Sequence, residues 1–250
     1  MVKLKTPAEI TIMREGGKRL HASFQELLPF IKKGVTTLEI DAKAEELIKK
    51  NGGESSFKKV PGYSWTICCP IDEQVVHTPP SKRVLKVGDL LTVDIGMFYK
   101  GFHTDFADSW IVGGVKDSKK EQFLAIGRRA FEKALSVVGD GKYIGEISKT
   151  IEDEIVGNNL FVMRDLTGHG VGRNLHEDPS VPGYLDRPID KTYKMRPGLV
   201  IAVEVIYSAG TSDIRYEKGD DWSIATGDGS ISGCFEHTVA ITDTNAFILT

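Results

Sequence analysis

Cysteine and long apolar runs are both scarce in this sequence of 250 residues. Its three cysteines, Cys68, Cys69 and Cys234, form neither a metal-knuckle spacing nor an even disulfide set, so reduced and buried thiols are expected. No stretch reaches the roughly 18 apolar residues of a membrane span, and Met1–Pro7 lacks the apolar core of a signal peptide. We therefore expect a cytoplasmic protein without a membrane partner.

An excess of basic charge is also lacking, since 32 Lys and Arg residues stand against 35 Asp and Glu residues. A formal net charge of −3 argues against a broad nucleic-acid surface, so we expect no nucleic-acid partner. Hydrophobic residues make up 40% of the chain and charged residues 27%, as in ordinary globular proteins. The length fits one compact domain.

The order of helical and strand patterns repeats along the chain. Thr6, Pro7 and Glu9 mark a helix start, and apolar residues at helical spacing then extend to Gly34. The further predicted helices cover 37–50, 118–138 and 144–156, and the predicted strands cover 65–69, 74–77, 89–98, 102–112 and later segments through to 246–249.

A duplication would explain this order. Without a gap, 34–52 matches 141–159 at six of nineteen positions, although Glu and Ile also recur by chance in helices. Two related halves, about 1–115 and 116–250, predict an α+β fold with a central antiparallel sheet flanked by helices. A functional site is then expected at the pseudo-twofold seam between the halves.

Two aspartates interrupt neighbouring strand-like runs. Asp94 lies in the apolar run 90–98, and Asp105 lies in the next run, 101–107. A tight turn centred on Tyr99 and Lys100 would place the two carboxylates directly opposite each other on one face, about 5 Å apart at Cβ. A bridging cation would relieve their repulsion, and a solvent-facing hairpin with two harmless acids is the alternative.

Two glutamates interrupt apolar strands in the second half. Glu204 lies within 199–206, the most apolar predicted strand, and Glu236 lies within 233–241. A buried ionised carboxylate is tolerated when it is paired or bound to a metal, so a metal site and a structural salt bridge both explain Glu204. We expect both glutamates to face one site.

Three histidines are further candidates. His169 lies in the glycine-rich segment 168–172, where glycines permit tight turns and a close approach of the backbone to a ligand. The phosphate-loop pattern and a clear following helix are missing, which disfavours a nucleotide site. Individually, His77 and His176 are more often surface or packing residues. With the four acids, His169 makes an oxygen-rich set suited to Mn, Fe(II), Co or Zn, and two such ions could share and activate one water.

Read in order, these five candidate ligands resemble those of the methionine aminopeptidases in their type I form. The surrounding segments are similar too, namely 74–77, 88–94, 101–105, 168–172, 196–198 and 235–238. The resemblance implies the duplicated pita-bread fold as a single catalytic domain. It also implies a metal-dependent aminopeptidase that removes the initiator methionine from nascent polypeptides through a water activated by two divalent ions. The type II form carries a helical insertion, for which the short segment between His169 and Glu204 leaves no room.

The resemblance implies a role for each candidate ligand. Asp94 and Glu236 would bridge both ions. Asp105 would complete one ion site, and His169 with Glu204 would complete the other. Glu204 would also shuttle the proton.

The resemblance also implies how the substrate is held. His77 would contact the scissile amide region, and His176 would hydrogen-bond the substrate carbonyl and the developing oxyanion. Tyr63, Cys68 and Trp222 would line the methionine pocket, where apolar, polarisable walls suit a thioether. Ordinary core packing is the alternative for these three residues.

Three positions depart from the usual residues of the family. Val205 stands where proline is usual, Thr78 where glycine is usual, and Leu175 where an aromatic residue is common. None of them removes a ligand. They are expected to alter the shape of the pocket and the tolerance for the residue after methionine, and to lower the catalytic rate.

Two other functions compete with this interpretation. A proline-directed aminopeptidase of the same fold is disfavoured, because those enzymes generally carry an additional N-terminal domain and the first predicted helix begins close to Met1. A non-catalytic member that binds peptides or proteins is disfavoured because such members typically lose ligands. The expected partners are the N-termini of nascent polypeptides, with the ribosome as a further candidate, and a monomer is expected.

Overall fold

The computed structural model describes residues 2–114, 116–219 and 221–250. Within these ranges the α-helices are α1 (Pro7–Leu27), α2 (Thr37–Lys50), α3 (Ser118–Ser136) and α4 (Ile144–Gly157). The strands are β1 (Glu54–Ser55), β2 (Ile67–Cys68), β3 (Gln74–Val76), β4 (Leu90–Tyr99), β5 (Phe102–Ile111), β6 (Phe161–Val162), β7 (Thr167–Gly170), β8 (Glu177–Pro182), β9 (Val200–Ser208), β10 (Ile214–Tyr216), β11 (Ile224–Thr226), β12 (Ser232–Ile241) and β13 (Ala246–Ile248). Short 3₁₀ turns occupy Leu28–Phe30, Phe57–Lys59, Val112–Gly114 and Ile189–Lys191.

The helix starts follow from their capping residues. Thr6 accepts a hydrogen bond from the backbone of Glu9, whose carboxylate accepts one from the backbone of Thr6, and this capping box confirms the predicted start of α1. Thr36 and Glu39 form the same capping box at α2. The predicted extension of the first helix to Gly34 is wrong. The α-helix ends at Leu27 and is followed by the 3₁₀ turn Leu28–Phe30, because Pro29 has no backbone N–H to donate and its ring clashes with the carbonyl group four residues before it.

One large antiparallel sheet crosses the whole molecule. Its strand order is β1-β4-β5-β12-β9-β7-β8, with β2 paired to β4, β6 to β9 and β13 to β12. The two halves meet where β5 pairs with β12, with Ala107 opposite Glu236 and Phe106 opposite His237. A separate small sheet joins β10, β11 and β3.

Each half repeats the same succession of two helices and a pair of long strands. Just before α2, Thr36 forms a β-bridge to Val84, and just before α4, Tyr143 forms one to Lys194. The strands that follow are β4 and β5 in the first half and β9 and β12 in the second. This correspondence is the one expected from the matching segments 34–52 and 141–159.

Alternation along the strands separates a packed face from a functional face. On β9, Val203, Val205 and Tyr207 belong to the hydrophobic core formed with α3 and α4. Val93 and Ile95 of β4 belong to the corresponding core under α1 and α2. Successive side chains point to opposite faces, so Glu204 and Asp94 are left on the face that the helices do not cover.

No helix within the described ranges is both long and apolar enough to span a membrane.

Candidate active site

The β4–β5 hairpin brings Asp94 and Asp105 to the same face, but not directly opposite each other. Asp94 pairs with Ala107, and Asp105 pairs with Gly96. The expected turn at Tyr99 and Lys100 is therefore wrong by one residue. The turn is Lys100-Gly101, whose φ angles of 48° and 89° fit the left-handed two-residue turn of a tight hairpin.

Four acidic side chains gather across the seam. Three of them, Asp94, Glu236 and Glu204, lie in one line across the sheet, on β4, β12 and β9. On β5, between Asp94 and Glu236, this line passes through Ala107. Asp105 lies beside this line and is held by Thr238, whose hydroxyl accepts from the Asp105 N–H at 2.8 Å and donates to its carbonyl at 2.8 Å. The carboxylates of both halves therefore share one site.

His169 on β7 completes the cluster. Its Nε2 lies 3.5 Å from a carboxylate oxygen of Glu204 and 4.0 Å from one of Asp105. Its Nδ1 lies 2.9 Å from the carbonyl oxygen of Gly170, which can only accept, so Nδ1 carries the proton. The unprotonated Nε2 then faces the acids, as in a metal-binding imidazole.

The glycines around His169 serve close packing. A Cβ on Gly168 would lie 2.5 Å from the carbonyl oxygen of Ala202, and one on Gly170 would lie 2.2 Å from that of Asp178. Gly168 and Gly170 lie in the strand β7, between β8 and β9, and Gly172 lies in the bend that follows it. The expected close backbone approach is present, but between strands. The next element after β7 is the strand β8.

The pKa values of the four acids are raised, as expected for buried carboxylates with too little positive charge nearby. Burial and the neighbouring carboxylates raise the pKa of Asp94, Glu204 and Glu236 well above the usual range. Burial raises the pKa of Asp105 to about 7, although hydrogen bonds from Phe106 N–H and with Asp94 act in the opposite direction. Burial and the nearby His176 lower the pKa of His169 to about 3, so this imidazole is neutral at pH 7.

Divalent cations fit this donor set. Among the described residues, one ligand atom each from Asp105, His169 and Glu236 lie within 4.8 Å of one another. Asp94 Oδ1 and Glu236 Oε1 are buried without a hydrogen-bond partner in the described part of the chain. Unpartnered buried oxygens are costly, and a metal ligated by them removes that cost. The solvent-facing hairpin with harmless acids is excluded, since Asp105 is only 4% exposed.

His176 and His77 line the same cavity as the cluster, which has a volume of about 330 Å³. The His176 ring lies 4.4 Å from the His169 ring, centroid to centroid. Burial lowers the pKa of His176, and burial with the adjacent His176 lowers the pKa of His77 to about 4. Both are therefore neutral at pH 7. His77 has a φ of 57°, a left-handed conformation that is uncommon outside glycine and is often found at functional sites.

The loop that carries His176 is anchored by a buried ion pair. Lys5 Nζ donates to Glu177 Oε2 at 2.8 Å, with the two side chains 5% and 4% exposed. The other oxygen of Glu177 accepts from the backbone N–H of Asn174 at 3.1 Å. A Cβ on Gly172 would lie 2.5 Å from the Lys5 side chain, so a larger residue at this position would displace the ion pair.

One end of the cavity is apolar and aromatic. Tyr63 and Trp222 pack edge to face at 5.1 Å between ring centroids, and the Tyr63 hydroxyl lies 3.1 Å from Cys68 Sγ. Cys68 pairs with Asp94, which places this apolar end directly beside the acids. Burial and then Asp94 raise the pKa of the Cys68 thiol, which keeps it neutral. The structure thus brings together all three residues that were expected to line a methionine pocket.

Some cavity residues were missed in the sequence. Ile206 and Cys234 line the cavity, and so do Phe57, Leu166 and Ser180. The first two could have been found, because each lies two positions from a glutamate on a strand and therefore on the same face. Phe57 and Ser180 carry no comparable signal.

The three residues that differ from those usual in the family lie in different parts of the structure. Leu175 lines the cavity and packs with Phe57, Tyr63 and Cys68. Val205 lies in the core under the helices, on the face of β9 turned away from the site. Thr78 is buried but does not line the cavity. Only Leu175 of the three therefore lines the cavity directly.

Comparison with known proteins identifies the family. A sequence model of metallopeptidase family M24 matches residues 11–243. Methionine aminopeptidase 1 of Bacillus subtilis is 40% identical over all of this chain and 99% of its own length. The chain belongs to the methionine aminopeptidases of metallopeptidase family M24. A methionine aminopeptidase of Clostridium perfringens is 35% identical over the same share of each chain.

Solved structures agree with this assignment. The methionine aminopeptidase of Thermotoga maritima superposes with a TM-score of 0.95 at 35% identity, over 100% of this chain and 99% of that one. The prolidase of Pyrococcus furiosus, at 22% identity, shares only the fold, with a TM-score of 0.79 over 99% of this chain and 65% of its own. The expected family, the α+β fold with its helix-flanked antiparallel sheet, and the class of metal-dependent hydrolase are confirmed.

Proposed function

We propose that this enzyme removes the N-terminal methionine from polypeptides, using two divalent ions held by Asp94, Asp105, His169, Glu204 and Glu236. The observation that carries the proposal is the cavity itself. One end of this cavity is apolar and aromatic, which suits a thioether. The four carboxylates and the neutral imidazole of His169 line the same cavity beside it.

The donors suggest how the ions would be shared. Asp94 and Glu236 each have a buried oxygen that has no hydrogen-bond partner among the described residues, and both carboxylates would help to hold the ions. We assign Asp105 to one ion, and His169 with Glu204 to the other, in keeping with the 3.5 Å between the last two side chains. Mn, Fe(II), Co and Zn all accept such ligands. Bound ions would supply Lewis acidity and an activated water.

The chain's own groups would move protons and orient the substrate. Glu204 lines the cavity beside His169, where its carboxylate can accept a proton from the attacking water and pass it to the leaving amine. His176, neutral at pH 7, can donate a ring N–H to the substrate carbonyl as negative charge develops on its oxygen. His77 can hydrogen-bond at the scissile amide.

The methionine side chain would occupy the end of the cavity lined by Tyr63, Cys68 and Trp222. The neutral Cys68 thiol and the aromatic rings provide a polarisable surface for the thioether. Leu175, on the wall of the same aromatic cluster, would set the width of this pocket.

The proposed substrates are the N-termini of nascent polypeptides in the cytoplasm. Such chains begin with methionine and differ in the residues that follow, which suits an enzyme whose specific pocket receives the first side chain. Contact with the ribosome and a monomeric state remain predictions from the sequence.

Metal content tests the ligand assignment. Protein loaded with Mn or Co is expected to bind about two ions, and Asp105→Ala is expected to bind fewer, because the variant loses one carboxylate of the cluster. The measurement is elemental analysis of dialysed protein. Asp108→Ala is the matched control, since Asp108 lies on the same strand but pairs with Arg128. An unchanged metal count in Asp105→Ala would contradict the assignment.

Peptide turnover tests the substrate. Peptides that begin with Met followed by Gly, Ala or Ser should be cut, and those that begin with Leu or with Ala-Pro should be cut at least about tenfold more slowly. A misfit of this size in an apolar pocket is worth roughly 1–3 kcal/mol. The ratio of kcat/KM on Met-Ala-Ser and Ala-Pro peptides distinguishes a methionine-directed enzyme from a proline-directed one. Faster release from Ala-Pro would indicate the proline-directed function, and no turnover would favour a binding protein.

A further inference from the structure

A second cavity, with a volume of about 520 Å³, adjoins the active-site cavity. Thr167 and Ser180 line both cavities. They lie on the paired strands β7 and β8, in which Gly168 stands opposite Val181. The two side chains therefore form the boundary between the cavities.

The strand order indicates the direction in which a bound peptide would continue. Cys68, at the apolar end, lies on β2, which pairs with β4 on one side of the acidic cluster. Thr167 and Ser180 lie on β7 and β8, at the other side of the same sheet. A peptide whose first side chain lies near Cys68 and whose first amide lies over the acids would extend toward Thr167 and Ser180.

The second cavity suits a chain of variable sequence. Its charged lining residues are Asp178 and Asp186 of one sign, and Arg187 and Lys191 of the other, so neither sign dominates. Its remaining lining residues include the hydroxyl-bearing Ser148, Thr192 and Tyr193 together with apolar residues. Donors and acceptors of this kind can bind backbone amides, which are the same in every polypeptide.

We propose that this second cavity binds the backbone of the substrate beyond its second residue, as an extended polypeptide that enters between Thr167 and Ser180. The inference rests on the proposed function, because it requires that the first residue be held at the aromatic end. It adds a second, sequence-independent binding region to the methionine pocket.

The test is a series of C-terminally amidated peptides, from Met-Ala-Ser to Met-Ala-Ser followed by three glycines. For the unmodified enzyme, kcat/KM is expected to rise about tenfold from the tripeptide to the hexapeptide, which equals about 1.4 kcal/mol. In Ser180→Trp the indole would block the boundary, and this ratio should fall to about one. In Lys149→Trp, the matched control, the indole lies on the exposed face of α4 away from both cavities, and the ratio should persist.

The outcomes separate the two proposals. Normal cleavage of the tripeptide with no gain on lengthening would overturn the second subsite and leave the proposed function intact. A gain that survives in Ser180→Trp would also overturn it, since the chain would then leave the cavity by another route. Failure to cleave any methionine peptide in metal-loaded protein would refute the proposed function and this inference with it.

Discussion

Removal of bound metal with a chelator is expected to lower turnover of a Met-Ala-Ser peptide at least about a thousandfold. Metal ions in hydrolases contribute several kcal/mol to transition-state stabilisation, and each 1.36 kcal/mol is a factor of ten in rate. Without cations, the four carboxylates of the cluster, Asp94, Asp105, Glu204 and Glu236, would repel one another inside the protein. The melting temperature is therefore also expected to fall, by about 5 °C or more.

Three measurements make this result specific. Elemental analysis confirms that the chelator has removed the metal, circular dichroism shows that the protein is still folded, and addition of Mn or Co after dialysis should restore turnover. Turnover that persists in folded protein with negligible metal would contradict the proposed mechanism.

His176→Ala is expected to lower kcat by about 10²–10³, the cost of losing one hydrogen-bond donor to a developing oxyanion. His176 is not one of the proposed ligands, so the metal content should hardly change. A histidine that served only packing would have the opposite effect, lowering the melting temperature while leaving kcat per folded molecule nearly intact.

The variant is therefore measured in three ways: kcat on the Met-Ala-Ser peptide, metal stoichiometry and melting temperature. His21→Ala is a suitable control, because His21 is an exposed histidine on α1, outside the cavity. Loss of metal from His176→Ala would show that this residue is a ligand. An undiminished kcat would exclude it from the chemistry.

The helices and the ligand candidates could be predicted from local patterns. Thr6 with Glu9 and Thr36 with Glu39 are capping boxes, whose hydrogen bonds involve only neighbours in the chain. Glu204 stood out because a carboxylate inside an apolar strand is costly unless something binds it. Such signals depend on residues close in sequence, so a single chain is enough to show them.

The relative positions of the ligands could not be predicted in this way. Strand register depends on the turn, and here Lys100 and Gly101 both adopt positive φ, which moves Asp105 from a position opposite Asp94 to one opposite Gly96. Lysine is uncommon in that conformation, so the pattern favoured the wrong turn.

The sequence by itself determined which side chains are available for chemistry and which face of each strand they share, because alternation and capping are local properties of the chain. Only the tertiary structure decided that Asp94 and Glu204, from different halves, face one cavity, and that Val205 does not. These arrangements depend on the pairing of β5 with β12, a long-range contact that is held by hydrogen bonds of the Thr238 hydroxyl with the Asp105 backbone and of the Ser109 hydroxyl with the Cys234 backbone.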